Sequence, residues 1–162
     1  MAVNEYQGAR SYIDLIERLR DTCLNNKSIT TVSLGDLSEV DLDKQTIFPL
    51  AHIMINTATF NSTIITYDVS ILFMDMVHSD TTENESAIYN NDNENFVFNT
   101  MLNAGNHVTD EFNSGALNDG NTRIMRETVT AEPFKDRFEN LVAGWAFSFQ
   151  IETRNNIDRC LT

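Results

Sequence analysis

Residues 141–153, with the sequence LVAGWAFSFQIET, decide the fold of this chain because apolar residues occupy every second position. Alternation over this length is typical of a β-strand with one buried face and one polar face. The apolar positions are Leu141, Ala143, Trp145, Phe147, Phe149 and Ile151. The pattern therefore predicts a strand over Leu141–Thr153 that belongs to a sheet with an aromatic inner face.

A second stretch, residues 63–77 (TIITYDVSILFMDMV), shows the same alternation and predicts another long strand. Beyond Ser70 both faces become apolar, which predicts that this end of the sheet is covered on both sides. The preceding segment, Phe48–Phe60, is also predicted to be a strand, and a tight turn at Asn61 and Ser62 joins the two into a long hairpin. The expected core is the sheet face that carries Ile65, Tyr67, Val69, Ile71, Phe147 and Phe149.

Two segments have the helical period instead. Apolar residues form one stripe along Ser11–Asn25 and another along Asn95–Phe112. Shorter strands are predicted over Ile29–Leu34 and Thr122–Thr130, with polar connections at 35–44, 78–95 and 114–121. The order α-β-β-β-α-β-β predicts a single α+β domain over residues 1–162, with a mostly antiparallel sheet, a long hairpin and two packed helices.

The charge of the chain restricts its partners. Its 162 residues include 11 Lys and Arg against 24 Asp and Glu, which gives a formal net charge of −13. Such acidity argues against a surface that binds nucleic-acid phosphates and against binding to anionic membranes. We therefore expect no specific nucleic-acid binding and no membrane association. Cys23 and Cys160 lie far apart in sequence and are expected to be free thiols in a reducing cytosol, although one bridge between them stays open.

Catalytic motifs are not found in the sequence. His52, His78 and His107 have no ligand at zinc-site spacing, and there is no nucleophile elbow, P-loop or Cys-x-x-Cys motif. The acids of residues 80–94 lack the spacing of an EF-hand. Asp75 permits two interpretations, a buried acid in line with the core stripe or a strand that has already left the core. We predict a non-enzymatic protein with no catalytic, cofactor or metal site.

Several stretches resemble a family of phage proteins. They are residues 12–19 (YIDLIERL), 46–53 (TIFPLAHI), 73–77 (FMDMV), 95–102 (NFVFNTML) and 144–149 (GWAFSF). The order of elements resembles that of tail-terminator and tail-completion proteins of tailed bacteriophages. The stretches are similar to neck or tail ring proteins of phages that infect Bacteroidota, crAss-like phages included.

This resemblance implies a structural virion protein that assembles in the host cytoplasm as a homo-oligomeric ring, a hexamer or a dodecamer. Such a ring connects the portal or head-completion layers to the tail tube around the DNA conduit. Phe134 and Phe138, four residues apart on a predicted short helix or turn among charges of both signs, are candidate ring-interface anchors. They could equally close the open end of the core.

Two other functions stay open. The first is a soluble binding module that holds a small ligand or a peptide in a cleft or on a sheet face. The second is an enzyme that uses Asp75 or His52 in a pocket that the sequence does not reveal.

Overall fold

The long strands predicted from the alternating stretches form the centre of one sheet. The structure is a computed structural model that describes residues 10–41, 45–78, 93–114, 122–124, 129–137 and 141–155. In chain order, its helices and strands are α1 (Arg10–Asn25), β1 (Thr31–Leu34), β2 (Leu50–Phe60), β3 (Ile64–Met76), α2 (Glu94–Ser114), β4 (Thr122–Ile124), β5 (Thr130–Arg137) and β6 (Leu141–Arg154). The predicted α+β class with one mostly antiparallel sheet is confirmed.

Strand β3 lies between β2 and β6 and is antiparallel to both. Beyond β2 comes β1, which runs parallel to it and pairs only with Leu50–Ile53. On the far side of β6, β4 and β5 pair with different parts of the same strand. The long β2–β3 hairpin supplies two of the six strands. Its turn is closed by a hydrogen bond of 2.8 Å that the Asn61 N–H donates to the Ile64 carbonyl.

The core lies between the sheet and the two helices, as the alternation predicts. Ile71 faces Phe147 across β3 and β6, and Val69 faces Phe149 in the same way. All six residues expected in the core are buried. The ring of Phe147 meets that of Phe73 edge-on, with centroids 5.5 Å apart. Buried stripes of α1 and α2 complete this cluster, and they consist of Leu15, Leu19, Cys23, Val97, Met101, Ala104, Val108 and Phe112.

A smaller cluster covers one end of the opposite sheet face. Its buried members are Phe48, Leu50, Met74, Met76 and Val142. The connection between β1 and β2 lies over them with two short 3-10 turns, Leu37–Glu39 and Gln45–Ile47. The prediction that this end of the sheet is covered on both sides is therefore confirmed.

The rest of that face is polar. Asn56 Nδ2 donates to Ser70 Oγ at 2.8 Å, and Ser70 Oγ lies 3.3 Å from Ser148 Oγ. Asp68 accepts hydrogen bonds from Thr57 and from Gln150 Nε2. These cross-strand side-chain pairs stabilise the register where no apolar layer covers the sheet.

One prediction about the fold was wrong. The sequence predicts a strand over Thr122–Thr130 and then a break with a short helix or turn at Phe134, but residues 130–137 form the edge strand β5. Pro133 obscures this strand in the sequence, because proline is excluded from central strands. On an edge strand its missing N–H does no harm when it faces outward. Three strands therefore follow α2, where the sequence predicts two.

Candidate functional site

The histidine considered as a catalytic candidate has a structural place. His52 is fully buried between β1 and the connection that follows it. Its Nε2 lies 3.1 Å from the Gly35 carbonyl, which can only accept, so Nε2 carries the proton and donates. Nδ1 is then the acceptor for the Ser33 hydroxyl at 2.7 Å. Both ring nitrogens are occupied by the protein, and the imidazole joins β1 to β2.

The burial of His52 predicts a pH-dependent stability. Burial lowers the pKa of His52 below its ordinary value of 6.5, although the Gly35 carbonyl and the Asp36 charge raise it. The unfolded chain therefore binds more protons than the folded chain in this range. The contribution of neutral His52 to the free energy of unfolding is complete above pH 6.5. This contribution is lost as the pH falls from 6.5 through the pKa of His52 in the folded protein.

Urea unfolding at several pH values would measure this dependence. His52→Asn removes the titrating group, so the slope of stability against pH below 6.5 should become shallower than in the wild type. His107→Asn is the matched control, since His107 is an exposed histidine on α2. An unchanged slope in His52→Asn would show that the imidazole is not buried in the native protein.

The position of Asp75 agrees better with an acid in line with the core stripe than with a strand that has already left the core. It pairs with Ala143 on the helix side of the sheet and is half-buried. Burial raises the pKa of its carboxyl group, while the Met76 N–H, which donates to Oδ1 at 2.8 Å, and the charge of His78 lower it. Asp75 is therefore a half-buried acid on the core side, and its hydrogen bond goes to a backbone N–H rather than to a side-chain base.

Other chemical groups are scarce in the part of the chain that the structure describes. It contains no group of three His, Cys, Asp or Glu side chains that could hold a metal ion. The acidic stretch considered as a calcium loop lies almost wholly outside the described residues. Cys23 is a free thiol, and burial raises its pKa to about 12, which keeps it protonated and unreactive. Cys160 also lies outside the described residues.

The structure describes one of the two candidate interface residues. Phe134 lies on β5 opposite Gly144, and its half-buried side chain packs against the smaller cluster. Phe138 lies outside the described residues. Beside Phe134, the Lys135 ammonium group bonds to the carboxylate of Glu94 at the start of α2. This ion pair connects the edge of the sheet to the helix layer.

Among the residues that the structure describes, sequence reasoning missed the two most exposed aromatic side chains. Phe96 on α2 is 70% exposed and Phe60, the last residue of β2, is 67% exposed, while Leu34 at the end of β1 is 47% exposed. Phe60 could have been found from its position, since it precedes the predicted turn at the tip of the hairpin. Large exposed apolar groups of this kind are frequent at protein contacts.

The comparisons with known proteins name no relative. The chain matches no protein-family model, and a search of curated proteins gives no match. Among the described residues, neither helix has the length and the apolar character needed to cross a membrane.

Proposed function

We propose that this chain is a ring-forming structural subunit of the neck or tail of a tailed phage, located in the virion. The ring, a hexamer or a dodecamer, would join the portal and head layers to the tail tube and surround the DNA conduit. The observation that carries the proposal is the architecture. Two helices pack on one face of an antiparallel sheet with a long hairpin, as the resemblance to tail-terminator and tail-completion proteins implies.

Charge and exposed apolar surface support the same role. A net charge of −13 would keep the wall of a conduit from holding the phosphates of passing DNA. The Phe96 ring on α2 is 70% exposed, and exposed aromatic groups of this kind are frequent at protein contacts. A ring of heterologous contacts needs two different patches on each subunit, and such side chains suit it.

Mass photometry and negative-stain imaging of the purified protein, alone and mixed with the portal and tail-tube proteins of the same phage, test the proposal. Closed rings, or rings that form only on the neighbouring protein, are expected. A subunit that forms no ring under either condition would contradict the proposal and favour the binding-module alternative.

Ring assembly should respond to the candidate anchors. Phe138→Ser is expected to leave the melting temperature unchanged and to abolish ring formation. Phe134→Ser should lower the melting temperature as well, because its side chain is half-buried against the smaller cluster. Leu24→Ser is the control, a change to serine at an exposed apolar residue of α1, and it should leave ring formation intact. If Phe138→Ser unfolds the monomer, Phe138 belongs to the core and the ring contact lies elsewhere.

A further inference from the structure

The β1 side of the sheet ends in a step. Strand β1 pairs with Leu50–Ile53, and no strand among the described residues pairs with the outer side of β2 from Met54 to Phe60. Next to the four residues of β1, the edge is therefore recessed by the width of one strand. An Asn56 bulge interrupts the ladder in the recess, and regular pairing with β3 resumes at Thr57.

The backbone groups that face outward along this step follow from the hydrogen bonds already made. The Thr31 N–H donates to the Pro49 carbonyl and the Gly35 N–H donates to the Ile53 carbonyl. Thr31, Ser33 and Gly35 thus point their backbone groups toward β2. Because these directions alternate along a strand, Val32 and Leu34 present their N–H and C=O groups outward.

The recess along β2 also has backbone N–H and C=O groups that face outward. The Asn61–Ile64 hydrogen bond closes the hairpin, so the next pair, Phe60 and Ile65, is not hydrogen-bonded across β2 and β3. Alternation then leaves the backbone groups of Phe60 and Ala58 facing outward. Donors and acceptors are therefore available on β1 and in the recess, at positions two residues apart in each.

Both segments lack charge and proline, two of the features that protect a sheet edge. Residues 31–34 (TVSL) and 57–60 (TATF) contain no charge and no proline, although the chain carries a net charge of −13. The opposite edge strand, β5, carries Pro133 and four charged residues. Charge and proline are the usual means by which proteins prevent strands from adding to an edge. The stepped edge is open to a strand, and β5 is not.

We propose that two copies of this chain pair through the stepped edge about a two-fold axis, with β1 of each copy filling the recess of the other. Since β1 runs parallel to its own β2, it lies antiparallel to β2 of the second copy. Outward groups then meet in one register, with Val32 opposite Phe60 of the second copy and Leu34 opposite Ala58 of the second copy. Ser33 lies opposite Thr59 of the second copy.

The side chains agree with this register. Val32 and Leu34 pair with Ala51 and Ile53 of the buried helix-side cluster, and so they point to the helix side of the sheet. Ala58 and Phe60 pair with Tyr67 and Ile65 of the same cluster. Pairing thus brings exposed apolar groups together on one face, and it covers Leu34 and Phe60.

The step also leaves room for the chain that follows β1 to leave the sheet shared by the two copies. At about 3.3 Å per residue, the two Leu34 Cα atoms lie about 13 Å apart across the axis. The chain turns away immediately afterwards at Gly35, whose φ of 110° is a conformation that favours glycine. A two-fold contact closes at two copies, so it is independent of the proposed ring and leaves the β5 edge and the helices free for other contacts.

The mass of the free protein in solution tests the pairing. At concentrations where no ring forms, light scattering after gel filtration should give twice the chain mass of 18.4 kDa, falling toward the monomer on dilution. Leu34→Lys combined with Phe60→Lys should give a folded monomer with the circular dichroism spectrum of the wild type, because both side chains are exposed. Phe96→Lys is the matched control and should remain a dimer. A wild type that is monomeric at every concentration, or a double-lysine variant that stays dimeric, would overturn the proposal.

Disulfide trapping tests the register. In a Cys160→Ser background, Ser33→Cys with Thr59→Cys should form covalent dimers on mild oxidation, since pairs that are not hydrogen-bonded place their side chains close together. Ser33→Cys with Thr57→Cys, which displaces one cysteine by two residues on the same face, should not. Trapping in the control and not in the first variant would refute this register.

Discussion

Gly144→Ala is expected to destabilise the protein more than any other single methyl addition on β6. A Cβ atom at Gly144 would lie 1.9 Å from the carbonyl oxygen of Phe73 and 2.9 Å from the Cα of Met74. Both obstacles are backbone atoms of the central strand β3, which is paired on both sides and cannot shift without breaking its ladders. We expect a cost at or above the upper end of the ~1–3 kcal/mol that overpacking usually causes.

Urea unfolding measures this cost as a lower midpoint at an unchanged slope. Ser148→Ala, on the same face of β6 but exposed, is the control and should change stability by no more than about 0.5 kcal/mol. A Gly144→Ala protein with the midpoint of the wild type would show that β3 and β6 do not approach so closely at this residue.

The second large effect couples α2 to the sheet. A Cβ atom at Gly105 would lie 2.1 Å from Cε2 of Phe147, whose ring is buried and held edge-on by Phe73. Glycine to alanine inside a helix normally stabilises by about 1 kcal/mol. Here the sign should reverse, since the Phe147 ring has nowhere to move. Phe147→Ala alone should cost ~3–5 kcal/mol through the cavity it leaves.

A double-mutant cycle isolates the contact. In the Phe147→Ala background the ring is gone, so Gly105→Ala should become stabilising, by up to about 1 kcal/mol, as the helix propensity of alanine predicts. Urea unfolding of the four proteins gives the coupling energy. If Gly105→Ala has the same effect with and without the ring, Phe147 does not pack against α2 at Gly105.

The sequence predicts part of the role of Gly144 and none of the role of Gly105. The alternation in residues 141–153 predicts that Gly144 sits on a strand and that a neighbouring chain can approach it. The sequence does not predict the contact of Gly105, because nothing in the pattern of the helix distinguishes it from other small residues. Only the position of β6 beneath α2 shows that the Phe147 ring occupies the place of its side chain.

The candidate sites divide in the same way. A lone histidine on a strand predicts a structural residue, and the contacts of His52 with Ser33 and Gly35 give it that place. The sequence could not show whether Asp75 is buried, because its burial depends on which other segments cover the sheet at that point. Phe134 was expected on a turn and lies on a strand, because Pro133 beside it argues against a strand in the sequence and is tolerated only because β5 is an edge strand.

The sequence by itself determined the two helices, the long hairpin, the aromatic inner face and the α+β class. These depend on periodicity within single segments, and burial of one face per segment is sufficient to specify them. The parallel pairing of β1, the glycine contacts and the stepped edge became apparent only in the tertiary structure. Each of these depends on which remote backbone lies alongside a segment, and no local pattern of side chains encodes that neighbour.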